Sequence, residues 1–63
     1  MNAQSQQLKA IYEQGIKEAN ESIEMAMSQR DNGYITADQY YAKIEKYNCW
    51  IFEYQDKLKE IAN

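Results

Sequence analysis

Residues 37–61 read ADQYYAKIEKYNCWIFEYQDKLKEI, and one apolar pattern returns in them every seven residues. Ala37, Ile44, Ile51 and Leu58 share one heptad position, and Tyr40, Tyr47, Tyr54 and Ile61 share its partner. None of the eight is charged. A helix with such a stripe keeps one face against a neighbour along its whole length. The preceding half of the chain carries a matching seam at Tyr12, Ile16, Ala19, Ile23 and Ala26, closed by Arg30.

Folding the chain back at Gly33 brings the seams together in layers: Ile23 with Ile44, Ile16 with Ile51, Ala26 with Tyr40, Ala19 with Tyr47, and Tyr12 with Tyr54. Each isoleucine faces an isoleucine, and the rings at 40 and 47 each face an alanine. Large-against-small matching of this kind lets a core interdigitate without voids. The fold class expected is therefore all-α: an antiparallel two-helix hairpin, coiled-coil-like, that dimerises into a four-helix bundle.

The punctuation agrees with the seams. The chain has no proline, and Asn32-Gly33 offers a left-handed stop after Arg30, a cation suited to the last turn of a helix. The second helix announces its start more clearly. Thr36 is an N-cap, Gln39 three residues on completes a capping box, Asp38 puts an acid in the first turn, and Ile35 stands ready to staple against Tyr40. The first helix opens with less definition, at Gln4 or Ser5, with Asn2 and Ser5 as candidate caps. One domain is expected over residues 1–63, with helices at 5–31 and 36–62 and a turn at 32–35. Two rods of about 40 Å, joined by so short a link, must run antiparallel.

A chain of 63 residues is short, and one of this size buries only roughly 60% of the surface that its unfolded form exposes. Disulfides, a metal or self-association usually make up the deficit. One cysteine excludes an intrachain disulfide and the lack of histidine disfavours zinc, which leaves self-association. Seven basic against ten acidic residues give a net charge of −3, a poor match for duplex nucleic acid. No apolar run reaches the roughly 20 residues that cross a bilayer, and no leader-like segment opens the chain, so no membrane partner is expected. The lone cysteine suits a reducing cytoplasm. Asn20-Glu21-Ser22 matches a glycosylation acceptor but falls mid-helix and is read as coincidence.

Residues 31–40 resemble the second half of an EF-hand calcium loop: Gly33, then Tyr34, Ile35 and Thr36, with the last ligand position four residues after Ile35. Gln39 stands at that position, and Ser28 and Arg30 stand at the first and third. Calcium needs several hard anionic oxygens, so the stretch reads as a capped turn and no metal is expected. The carboxylates Glu18, Glu21 and Glu24, and Glu53, Asp56 and Glu60, lie on faces away from the seams, where nothing desolvates them. Neither catalytic residues nor a cofactor site is expected, and the chain is read as no enzyme. Cys49 falls on the outer arc of the second helix as an inert thiol.

Six tyrosines, Trp50 and Phe52 exceed what one seam consumes. On one flank the first helix offers Leu8, Ile11, Gly15, Ser22 and Met25, and the second offers Trp50 between Lys43 and Lys57. Gly15 falls in the layer of Trp50, so the indole is expected over bare backbone there or against a closely approaching second chain. The opposite flank carries Met27, Tyr41 and Phe52 among Glu13, Asn20, Asn48 and Gln55. Leu8, Ile11, Gly15, Met25 and Trp50 are therefore assigned to a self-interface, and Tyr41 and Phe52 to the binding of a target protein.

Three functions follow from this reading. The first is a non-enzymatic interaction protein, a regulator or inhibitor that occupies a partner's surface; its size suits an accessory protein of a phage or mobile element. The second is a nucleotide or single-strand binder that stacks bases on Tyr41, Trp50 and Phe52 beside Lys43, Lys46 and Lys57. Net acidity and the interspersed Glu45 and Glu53 weigh against it. The third is a structural segment of a coiled-coil assembly, against which Met1 and the self-contained turn argue for a complete small protein.

Overall fold

The computed structural model describes residues 3–62. Two helices, α1 (Ala3–Asp31) and α2 (Ala37–Ala62), lie antiparallel as a hairpin. Measured over Cα atoms, the hairpin is a rod of 48 × 14 × 10 Å. The helix ends fall close to the sequence expectation, except that α1 starts at Ala3 and so runs through Ser5, one of its two candidate caps. The other, Asn2, lies outside the described residues.

The turn is built as the capping residues dictate. Gly33 sits at φ +79°, where residues with a Cβ are strained. Its N–H donates to the carbonyl of Arg30 at 3.1 Å, and the N–H of Tyr34 donates to that of Gln29 at 2.8 Å. Those two bonds form a Schellman motif, which satisfies carbonyls that the end of α1 would otherwise leave open. Across the turn, the Gln39 N–H donates to Thr36 Oγ1 at 3.1 Å, and the Thr36 N–H donates to Gln39 Oε1 at 2.9 Å. This is the reciprocal capping box expected from the sequence. With five residues between the helices, α2 has no direction open to it except back along α1.

Burial follows the two seams. Ala19 and Ala26 are the fully buried core, each 2% exposed, while Tyr12, Ile16, Ile23, Tyr40, Ile44, Tyr47, Ile51, Tyr54, Leu58 and Ile61 are half-buried. The two alanines are those that the layer scheme set against tyrosine rings, and a small residue there lets the two backbones approach. Tyr12 meets Tyr54 as the scheme expects, with ring centroids 5.9 Å apart.

Two seam members depart from expectation. Ala37, the first residue of α2, is exposed. Arg30 is exposed too; its guanidinium reaches over the Tyr40 ring at 4.6 Å from the centroid and covers the seam without entering it.

Candidate interaction surface

The seam leaves much apolar surface outside. Leu8, Ile11, Met25, Met27, Tyr34, Tyr41, Trp50 and Phe52 are all exposed, and among the described residues no side chain larger than alanine is fully buried. For a rod only two helices thick this is unavoidable: each helix has one neighbour, so one stripe is covered and both flanks stay open.

Met25, Ile11 and Gly15, three of the residues assigned to a self-interface, line depressions on one flank. Ser22, Met25, Ala26, Gln29, Lys43 and Tyr47 line a hollow of about 130 Å³ there. Further from the turn, Ala10, Ile11, Gln14, Gly15, Glu18 and Tyr54 line an open groove of about 540 Å³. Trp50 lies on α2 between Tyr47 and Tyr54, and so between the two depressions, and is 42% exposed. It is not loose. Tyr47 meets it edge-on at 5.5 Å and 73°, and the Lys46 ammonium lies 5.0 Å from its ring centroid. Such contacts hold an aromatic in one orientation before any partner arrives.

Gly15 has a different neighbour from the one expected. The ring of Tyr54, not the Trp50 indole, lies over its backbone, and an ideal Cβ at 15 would stand 2.8 Å from Tyr54 Cε2. Heptad bookkeeping put glycine and tryptophan in one layer; the Tyr54 ring, which also meets Tyr12, reaches Gly15 by leaning along the helix toward the turn. The missing side chain admits the Tyr54 ring toward α1 and leaves Trp50 standing clear.

Tyr41 and Phe52, assigned to a target protein, are 64% and 66% exposed. Both lie on the outer side of α2, but eleven residues separate them, an axial rise of about 16 Å. They form two apolar points and not one patch. Tyr40 meets Tyr41 edge-on at 5.5 Å, anchoring the nearer point to the seam. Trp50 stands nine residues from Tyr41, about half a turn around the helix, so the three aromatics proposed as a stacking platform point to different sides. Among the described residues the most exposed large apolar one is Tyr34, beside Gly33 at the tip, which no periodicity singles out because it lies outside both heptad runs.

The carboxylates at 18, 21, 24, 53, 56 and 60 are all exposed, as is the Cys49 thiol. Among the described residues, no group of three or more His, Cys, Asp or Glu is placed to hold a metal, and no helix is long and apolar enough to cross a membrane. Searches among protein-family models, curated proteins and solved structures found no match to this chain.

Proposed function

We propose that this chain is a non-enzymatic interaction module, a regulator or inhibitor that works by covering part of a target protein's surface. In this reading two hairpins join along the Trp50 flank into a four-helix bundle, and the opposite flank, with Tyr41 and Phe52, meets the target. The observation that carries it is the imbalance of burial: among the described residues, eight large apolar ones lie exposed while two alanines make up the fully buried core. Exposed apolar area on this scale marks contact sites on a folded protein. The pre-set Trp50 is the type of residue that anchors an interface. A lone exposed thiol at Cys49 is in keeping with a reducing, cytoplasmic setting.

The test has two parts. Light scattering on the purified chain should give a dimer in the micromolar range. Affinity capture from the native host should recover one stoichiometric protein with the wild-type chain and none with Phe52→Ala, and the purified pair should bind directly. A stable folded monomer, or equal recovery by both chains, contradicts the reading.

A further inference from the structure

The flank that bears Trp50 is divided by charge. Its α1 edge carries Glu18 on the groove and Glu21 at the rim, while Lys9 and Lys17 turn to other sides at the helical step of about 100° per residue. Its α2 edge carries Lys43 at the smaller hollow, Lys46 over the indole and Lys57 two turns beyond Trp50, with Glu53 at the rim. Between the edges run Leu8, Ile11, Met25 and Trp50, all exposed. A face acidic along one helix, basic along the other and apolar between is complementary to itself, provided that the acidic helix lands on the basic one.

We infer that a second copy of this chain covers this flank, related by a two-fold axis parallel to the hairpin, so that α1 of each copy lies on α2 of the other. Both turns are then at the same end of a four-helix bundle. The inference rests on the self-association in the reading above and specifies its geometry.

Such an axis leaves axial height unchanged, so the register of the hairpin becomes the register of the dimer. Tyr12 pairs with Tyr54 in the hairpin, and each step along α1 is a step back along α2. Leu8 of one copy therefore comes level with Leu58 of the other, Ile11 within one residue of Tyr54, and Glu21 within one residue of Lys46. Glu18 falls between Lys46 and Lys57 of the second copy, and the two Trp50 indoles reach the same height on either side of the axis. The face measures 48 Å by 14 Å between Cα atoms, enough to bury roughly the 800 Å² per partner of a standard interface.

The other closed arrangement has its axis perpendicular to the hairpin and stacks α2 on α2. Seating Trp50 in the groove beside Tyr54 of the second copy then sets Lys46 opposite Lys57, and the acidic edge of α1 lies on the acidic edge of α1 in the second copy. Like charges face on both edges, which disfavours it.

The decisive experiment uses two charge-reversed chains, Glu18→Lys/Glu21→Lys and Lys43→Glu/Lys46→Glu, at low salt, where such pairs are least screened. Light scattering should show that each variant alone dimerises at least about tenfold more weakly than the wild type. An equimolar mixture should restore the dimer as a one-to-one hetero-species in native mass spectrometry, because each acidic edge again meets a basic one. Undiminished dimers in both single variants, or a mixture as weak as its components, overturns the arrangement. Salt dependence of the wild-type dimer reads the same geometry without any substitution: the dimer weakens with added salt if opposite charges face, and a dimer that tightens overturns the inference. A wild-type chain that stays monomeric under all conditions refutes self-association itself, a different failure.

Discussion

The ring of Tyr54 occupies the space that a side chain at Gly15 would need, coming within 2.8 Å of an ideal Cβ there. Glycine inside a helix ordinarily costs about 1 kcal/mol relative to alanine, so its presence in the middle of α1 calls for a packing reason. This contact is that reason: it lets an aromatic from α2 settle on the backbone of α1 and opens the groove beside it.

Gly15→Ala should therefore run against helix propensity. The gain of about 1 kcal/mol from propensity is outweighed by overpacking of 1–3 kcal/mol, roughly. Chemical denaturation should show a net loss of up to about 2 kcal/mol. In a Tyr54→Ala background the same substitution should stabilise the hairpin, a change of sign that a double-mutant cycle detects. Stabilisation by Gly15→Ala in the wild-type background would show that the ring moves aside freely.

Capping at the turn should be measurable on both sides. Thr36→Ala removes the oxygen that accepts the Gln39 amide and should cost about 1 kcal/mol. Gly33→Ala meets no steric obstacle within 4 Å, so its cost is that of the left-handed backbone alone, about 1 to 2 kcal/mol. Denaturation midpoints unchanged by either substitution would mean that the turn does not depend on these caps.

Tyr41→Ala/Phe52→Ala should leave helicity and oligomeric state as they are and abolish target binding, since neither side chain belongs to the seam or to the Trp50 flank. Circular dichroism and light scattering check the first half, and direct binding to the captured target checks the second. A double variant that dissociates while the Trp50→Ala chain does not would show the two flanks assigned the wrong way round.

The seams, the turn and both caps were legible because each rests on local chemistry with a fixed spacing. Heptad positions select the buried stripe, Gly33 permits a positive φ, and Thr36 with Gln39 can bond reciprocally only at a spacing of three. The relation between Gly15 and Tyr54 was not legible. Layers follow the heights of the backbones, and the Tyr54 ring reaches Gly15 from the layer of Tyr12 by leaning along the helix, which apolar spacing does not show. The split of charge across the Trp50 flank stayed hidden for a similar reason. Glu18 and Glu21 read as solvated positions along α1, and only the placement of α2 beside them sets an acidic edge against a basic one. The axial rise of about 16 Å between Tyr41 and Phe52 was present in their numbering and divides the residues assigned to a target into two points.

The central claim is that the Trp50 flank holds two copies of this chain together. Trp50 is the only tryptophan, so its fluorescence on dilution, read alongside the light-scattering mass, reports on that flank directly. The account predicts a species of twice the 7.5 kDa chain mass in the micromolar range. On dilution its dissociation should move the emission of Trp50 to the red as water reaches the indole. Trp50→Ala should shift the balance toward monomer or unfolded chain by at least about 2 kcal/mol. A folded monomer of 7.5 kDa throughout that range, or a dimer that Trp50→Ala leaves intact, would contradict the claim.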